Sequence, residues 1–179
     1  MVMTIVQFSG YFGLMNWLPS IVQKQQGLSV SGSSIWMIAT IIGMSIGMMV
    51  FGTVMDNWGP RWAFGIFLLG SATVMFTILM VQSSIALILA GALIGFFSNG
   101  MFGGYGAVIS QLYPTAIRST ANSIIMNVGR AIGGFSSVVI GLLMDHYSLG
   151  VTMGFLSALY ILSFIVMSSL PGMRKLANH

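Results

Sequence analysis

The chain has 179 residues, 56% of them hydrophobic and 4% charged, with a mean hydropathy of +0.97; a water-soluble domain carries about 25% charged residues, so the composition excludes one and points to an integral membrane protein. The formal charge of +4 comes from Lys24, Arg61, Arg118, Arg130, Arg174 and Lys175 against two acids, Asp56 and Asp145, and these cations form no tract able to hold nucleic acid. Cysteine is absent and the two histidines, His146 and His179, lie far apart, which leaves no disulfide, thiolate chemistry or Cys/His metal site and implies no cofactor.

Crossing the hydrocarbon core takes about 20 mostly apolar residues in a helix. Cutting the chain where charge, proline or serine clusters interrupt it gives six such spans, 2–22, 33–55, 62–81, 85–112, 119–144 and 149–170. Transmembrane barrel strands are about 10 residues long with dyad alternation, whereas these runs are far longer and uniformly apolar. The expected fold class is therefore an all-α membrane protein, one domain of six transmembrane helices over residues 1–179. No charged leader precedes a short apolar stretch with a cleavage site, so no signal peptide is expected. Ser31 and Ser33 are expected to cap the second helix, Ser83 the fourth, and Thr115 or Ser119 the fifth, while Pro60 suits the first turn of the third.

Short loops make consecutive helices antiparallel. The N-terminus, loops 2–3 and 4–5 and the tail then share one face, which holds Arg61, Arg118, Arg174 and Lys175, against Lys24 alone on the other. The positive-inside rule puts both termini in the cytoplasm. The third and sixth spans contain no Asn, Gln or charge and are expected to face lipid. The first carries Gln7 and Asn16, the fourth Asn99 and Gln111, and the fifth Asn122, Asn127 and Arg130, so these three are expected to face a wet or hydrogen-bonded interior. The second is intermediate, with Trp36, Thr40 and Ser45. Glycines four apart, Gly43/Gly47, Gly91/Gly95, Gly100/Gly104, Gly129/Gly133 and Gly150/Gly154, read as close helix packing.

Arg130 is the most informative residue. It lies near the middle of the fifth span, on a stripe with Ser123, Asn127, Gly134 and Ser137, and no acid lies inside any span. Charges at that depth almost always face a cavity or mark a substrate path. A guanidinium fork matches a carboxylate with two parallel hydrogen bonds, and Asn127, Asn99, Gln7 and Tyr11 are candidates to hold the remaining polar groups of such a substrate. The alternative is a structural Arg130 bonded to backbone carbonyls or to an acid on another domain.

Two loops on the basic face form a second constellation. Gly52 to Arg61 puts Asp56 at the end of the second helix, a glycine turn after it, and Arg61 at the opening of the third; Tyr113 to Ser119 leads into the fifth helix through Arg118. An Asp56–Arg118 pair would latch the two helix ends in one state and release them in another, with Arg61 beside it; alternatively both arginines set topology and Asp56 is a solvated acid.

Gly52, Asp56, Gly59 and Arg61 resemble the G-x3-D-x2-G-x-R loop of major facilitator superfamily transporters. Tyr11-Phe12-Gly13-Leu14 with Trp17 and Pro19, and Tyr113 to Arg118 followed by Asn127 to Gly134, resemble the C-terminal half of its organic-acid proton symporters (sialate, aromatic-acid and metabolite carriers). Asn57 and Pro60 depart from the basic residues common there. The resemblance covers essentially the whole chain and implies a six-helix half whose first, second, fourth and fifth helices line the path. It also implies a small organic anion as substrate, alternating access and residence in the cell inner membrane. Met1 stands almost flush with the first span, so a separate or missing N-terminal half is the expected partner besides lipid, a homodimer being the lesser choice; with Asp56 and Asp145 at helix ends, a proton-binding group would belong to that other half. The competing reading is a truncated, non-transporting remnant or membrane interaction protein. An enzyme is not expected: Gly134-Phe135-Ser136-Ser137 offers a serine, but His146 lies in a loop and supplies no base.

Overall fold

The computed structural model describes residues 1–26, 30–81 and 83–169; Arg174, Lys175 and His179 lie outside these. Among the described residues the chain forms six helical spans and no strand. They are α1 (Val2–Gln26), α2 (Val30–Trp58), α3 (Pro60–Val74, continued by the turn Thr77–Met80), α4 (Ser84–Ile94, Gly95–Asn99 and Phe102–Leu112), α5 (Arg118–His146) and α6 (Leu149–Ser169). Helices α2 to α6 are long and apolar enough to cross a membrane. The 25 residues of α1 extend about 37 Å at 1.5 Å per residue, with Gln7, Asn16 and Gln23 diluting its apolar character.

The helix ends differ from the expected span bounds by up to a few residues. Pro60 does occupy the first turn of α3. Helix α2 already includes Ser31 and Ser33, and Ser33 Oγ instead accepts from Gln23 Nε2 at 2.5 Å. Ser83 holds the N-cap position of α4 without a side-chain capping bond. The residue capping α5 is Ile117, which leaves Thr115 outside the helix and Ser119 inside it. His146 is the last residue of α5 rather than a loop residue. The third span is broken near Met75. There Thr73 Oγ1 bonds the carbonyls of Leu69 and Gly70, and Thr77 Oγ1 bonds that of Val74; hydroxyls bonding back to the preceding turn bend helices. Helix α4 carries a π-helical turn over Gly95–Asn99, closed by Gly100 N–H donating to Gly95 O at 3.1 Å.

Contact register gives the directions. Gly129, Gly133 and Gly141 of α5 meet Thr4, Phe8 and Trp17 of α1 in ascending order, so α1 and α5 run parallel. Gly91, Gly95 and Gly104 of α4 meet Trp36, Thr40 and Phe51 of α2 in the same sense. Helix α6 opposes α1, with Gly10 against Tyr160 and Gly13 against Leu156. It also opposes α3, where Ser157 Oγ donates to Ala72 O at 2.9 Å while Gly65 meets Phe164 and Met167. The α2–α3 and α4–α5 loops therefore lie at one end of the bundle. Of the glycine pairs, only Gly150/Gly154 makes no close approach.

An edge-to-face cluster joins α2, α3 and α4 near that end, with ring centroids of Phe51–Phe64, Phe51–Phe67 and Phe64–Tyr105 at 4.9, 5.0 and 4.9 Å. Toward the other end the fully buried Trp36 packs on Gly91 and donates Nε1–H to Leu87 O at 3.1 Å. Trp36→Phe keeps most of the ring but loses that bond and some volume; the expected cost is about 1–2 kcal/mol, read as a lower thermal unfolding midpoint of the detergent-solubilised chain.

Candidate functional site

Glycines set the site. Gly129 and Gly133 face α1, where a Cβ at Gly133 would press on Phe8, so α5 approaches α1 closely at this level. Arg130, between them, lies with Cζ 5.5 Å from the Phe8 ring centroid. Together with Tyr11, Phe12, Met44 and Phe102 they line an open cavity of about 510 Å³. Its walls come from α1, α2, α4 and α5. Phe102 meets Phe8 and Tyr11 edge-on, both at 5.2 Å, so the aromatic wall is tied together across two helices. Arg130 is exposed and, among the described residues, has neither a carboxylate partner nor a hydrogen bond. The rest of its stripe is open as well: Ser123 and Asn127 are exposed, and nothing lies within 4 Å of a Cβ placed at Gly134. Ser137 accepts from Asn16 Nδ2 at 3.3 Å, and its carbonyl from Trp17 Nε1 at 2.8 Å.

Of the five residues the sequence nominates for substrate, Arg130 and Tyr11 line the cavity. Asn127, one turn from Arg130, shares its exposed face without lining the cavity. Asn99 and Gln7 are buried, at 0% and 1% exposure, and do not line it. Gln7 Nε2 donates to Ser98 O at 2.6 Å, whereas Gln7 Oε1, both polar atoms of Asn99 and Ser163 Oγ have no hydrogen-bond partner among the described residues. An orphaned buried amide costs about 1–3 kcal/mol. Asn99→Leu is accordingly expected to hold or raise the thermal unfolding midpoint; a fall of several degrees would mean that the amide is paired in the folded protein.

The loop residues do not form the anticipated latch in this conformation. Asp56 is exposed, and Arg118 Nε lies 3.5 Å from Tyr113 O, its only polar contact among the described residues. Arg61 instead points to a groove between α3 and α6. Gly59 adopts φ 85°, ψ 162°, a region open essentially to glycine; its N–H closes α2 on Met55 O and its carbonyl accepts from Ala63 of α3. Phe8, Phe12, Met44 and Phe102 were not foreseen. The spacing of Phe8, Tyr11 and Phe12 on one helix face was the available signal for three of the cavity's aromatics.

These features define an integral membrane helical bundle of six spans whose first, second, fourth and fifth helices surround an open cavity. Over residues 1–176 the chain matches the family described as Major Facilitator Superfamily, and it belongs to that superfamily. Membership in a family of transporters sets the enzyme reading aside. The chain is similar to a metabolite transport protein of Haemophilus influenzae, 38% identical over 92% of this chain and 40% of that protein. It is also similar to the cis,cis-muconate transport protein of Acinetobacter baylyi, 26% identical over 88% of this chain and 38% of that protein. A 4-methylmuconolactone transporter of Cupriavidus pinatubonensis is 29% identical over 94% of this chain and 40% of that protein. The chain thus spans about 40% of the length of these curated relatives.

Proposed function

We propose that the chain is the C-terminal half of a secondary transporter that moves a small organic anion by alternating access. The observation carrying this reading is Arg130, a guanidinium without a carboxylate partner among the described residues, held over an aromatic ring in an open cavity. A carboxylate entering there would take both arms of the fork, with the aromatic wall receiving the apolar body of the substrate and Tyr11 and Asn127 its hydroxyl or carbonyl groups. Asn99 and Gln7 reach it only if the helices move. Similarity to proteins named for metabolite, muconate and methylmuconolactone transport supports an organic substrate. The facing wall would come from an N-terminal six-helix half, which would also carry the proton-binding acid. Asp56, Arg61 and Arg118 would control the loop end of the bundle, and both termini would lie in the cytoplasm, the bilayer being the cell inner membrane.

The test is uptake into proteoliposomes holding both halves. A labelled carboxylate should enter saturably, while its carboxamide analogue should compete at least about 30-fold more weakly, as expected for losing about 2 kcal/mol of charge-assisted bonding. Equal competition would overturn the anion site. No uptake with any partner half would favour the remnant.

A further inference from the structure

The outer side of the bundle carries a groove apart from the Arg130 cavity. Between α3 and α6 at the loop end lies a groove of about 420 Å³, lined by Arg61, Trp62, Gly65, Ile66, Phe164 and Met167. Gly65 makes the groove: a Cβ there would only reach ordinary contact with Phe164 and Met167, at 3.7 and 3.8 Å, so a larger side chain would fill the space. From Arg61 to Leu69 the lining extends about 12 Å along the helix axis. Arg61 is half-buried and has no acid beside it among the described residues. Trp58 and Trp62, at 61% and 65% exposure, stand at the same level, as aromatic side chains do at a membrane–water boundary.

We infer that this groove seats one anionic phospholipid, its phosphodiester on the Arg61 guanidinium and the upper part of an acyl chain over Gly65 between Ile66, Phe164 and Met167. Charge complementarity selects the occupant. A guanidinium in an otherwise apolar channel on a lipid-facing surface, with no second cation lining it among the described residues, matches a headgroup bearing net negative charge, which zwitterionic lipids lack, and anionic lipids are concentrated in the cytoplasmic leaflet. Arg61 is thereby a lipid anchor as well as a loop residue.

The test is quenching of tryptophan fluorescence in the full, detergent-solubilised chain by phospholipids brominated on the acyl chain. Brominated phosphatidylglycerol should half-quench at about fivefold lower mole fraction than brominated phosphatidylcholine. Arg61→Gln should abolish that preference and Arg61→Lys keep part of it, while Gly65→Leu should abolish it with Arg61 still in place; circular dichroism and elution volume identify any variant that misfolds, and Arg61→Lys then carries the comparison. Equal quenching by the two lipids in the wild type overturns the proposal. So does a preference that survives Gly65→Leu, which would reflect a diffuse charge effect, or one reversed by millimolar inorganic phosphate, which would make the site one for free anions.

Discussion

Arg130→Ala is expected to lower carboxylate uptake at subsaturating concentration by about 30- to 1,000-fold in the two-half assembly. Two charge-assisted hydrogen bonds made in one plane are worth roughly 2–4 kcal/mol together, and each 1.4 kcal/mol is tenfold in affinity. Arg130→Lys keeps the charge but not the fork, so it should recover part of the loss and remain about tenfold below wild type. Folding should be insensitive to both changes. Besides the Phe8 ring at 5.5 Å, a contact worth about 0.5–1 kcal/mol at an exposed site, the guanidinium has no polar partner among the described residues to orphan. That combination of unchanged thermal unfolding and collapsed uptake separates a binding role from a structural one. Undiminished uptake in Arg130→Ala would remove the anion site and leave the six-span architecture untouched.

The same arginine explains what was legible from sequence. A charge at mid-span is so costly in hydrocarbon that its position pointed either to a cavity or to a structural partner, and Arg130 lines an open cavity. Long apolar runs located the spans for the same reason. Polarity proved less informative at Asn99 and Gln7. Both avoid lipid, as expected, but a helix–helix junction satisfies that requirement as well as a wet cavity does, and the one-dimensional pattern cannot tell the two apart. Phe8, Tyr11 and Phe12 show the converse difficulty: aromatic side chains suit lipid, core and cavity wall alike, and only the approach of Gly129 and Gly133 to α1 assigns them. Hydroxyl caps misled because serine is tolerated inside membrane helices: Ser33 and Ser119 lie within α2 and α5, and the Ser33 hydroxyl bonds the Gln23 side chain. The π-helical turn at Gly95–Asn99 had no signature beyond its glycine.

Glycine substitutions on a single helix should separate packing from motif chemistry. Gly47 of α2 lies against the backbone of Phe96, and its own Cα is 2.9 Å from where a Cβ would stand on Gly100 of α4. The two helices therefore touch backbone to backbone within the π-helical turn and immediately after it. Backbone cannot rotate away as a side chain can, so Gly47→Leu must push α2 from α4, at an expected cost of at least about 3 kcal/mol, the upper end of what overpacking a core ordinarily costs; the readout is loss of monodisperse protein or a fall of many degrees in the unfolding midpoint. Gly52, five residues on and the first position of the family loop motif, has nothing within 4 Å of its would-be Cβ. Gly52→Ala should therefore fold normally and gain some of the roughly 0.5–1 kcal/mol that separates alanine from glycine within a helix. Any transport defect it shows would then come from the motif's interaction across the loop end and not from packing. If Gly47→Leu were tolerated as well as Gly52→Ala, the close α2–α4 seam that holds the cavity's Met44 and Phe102 walls together would have to be abandoned.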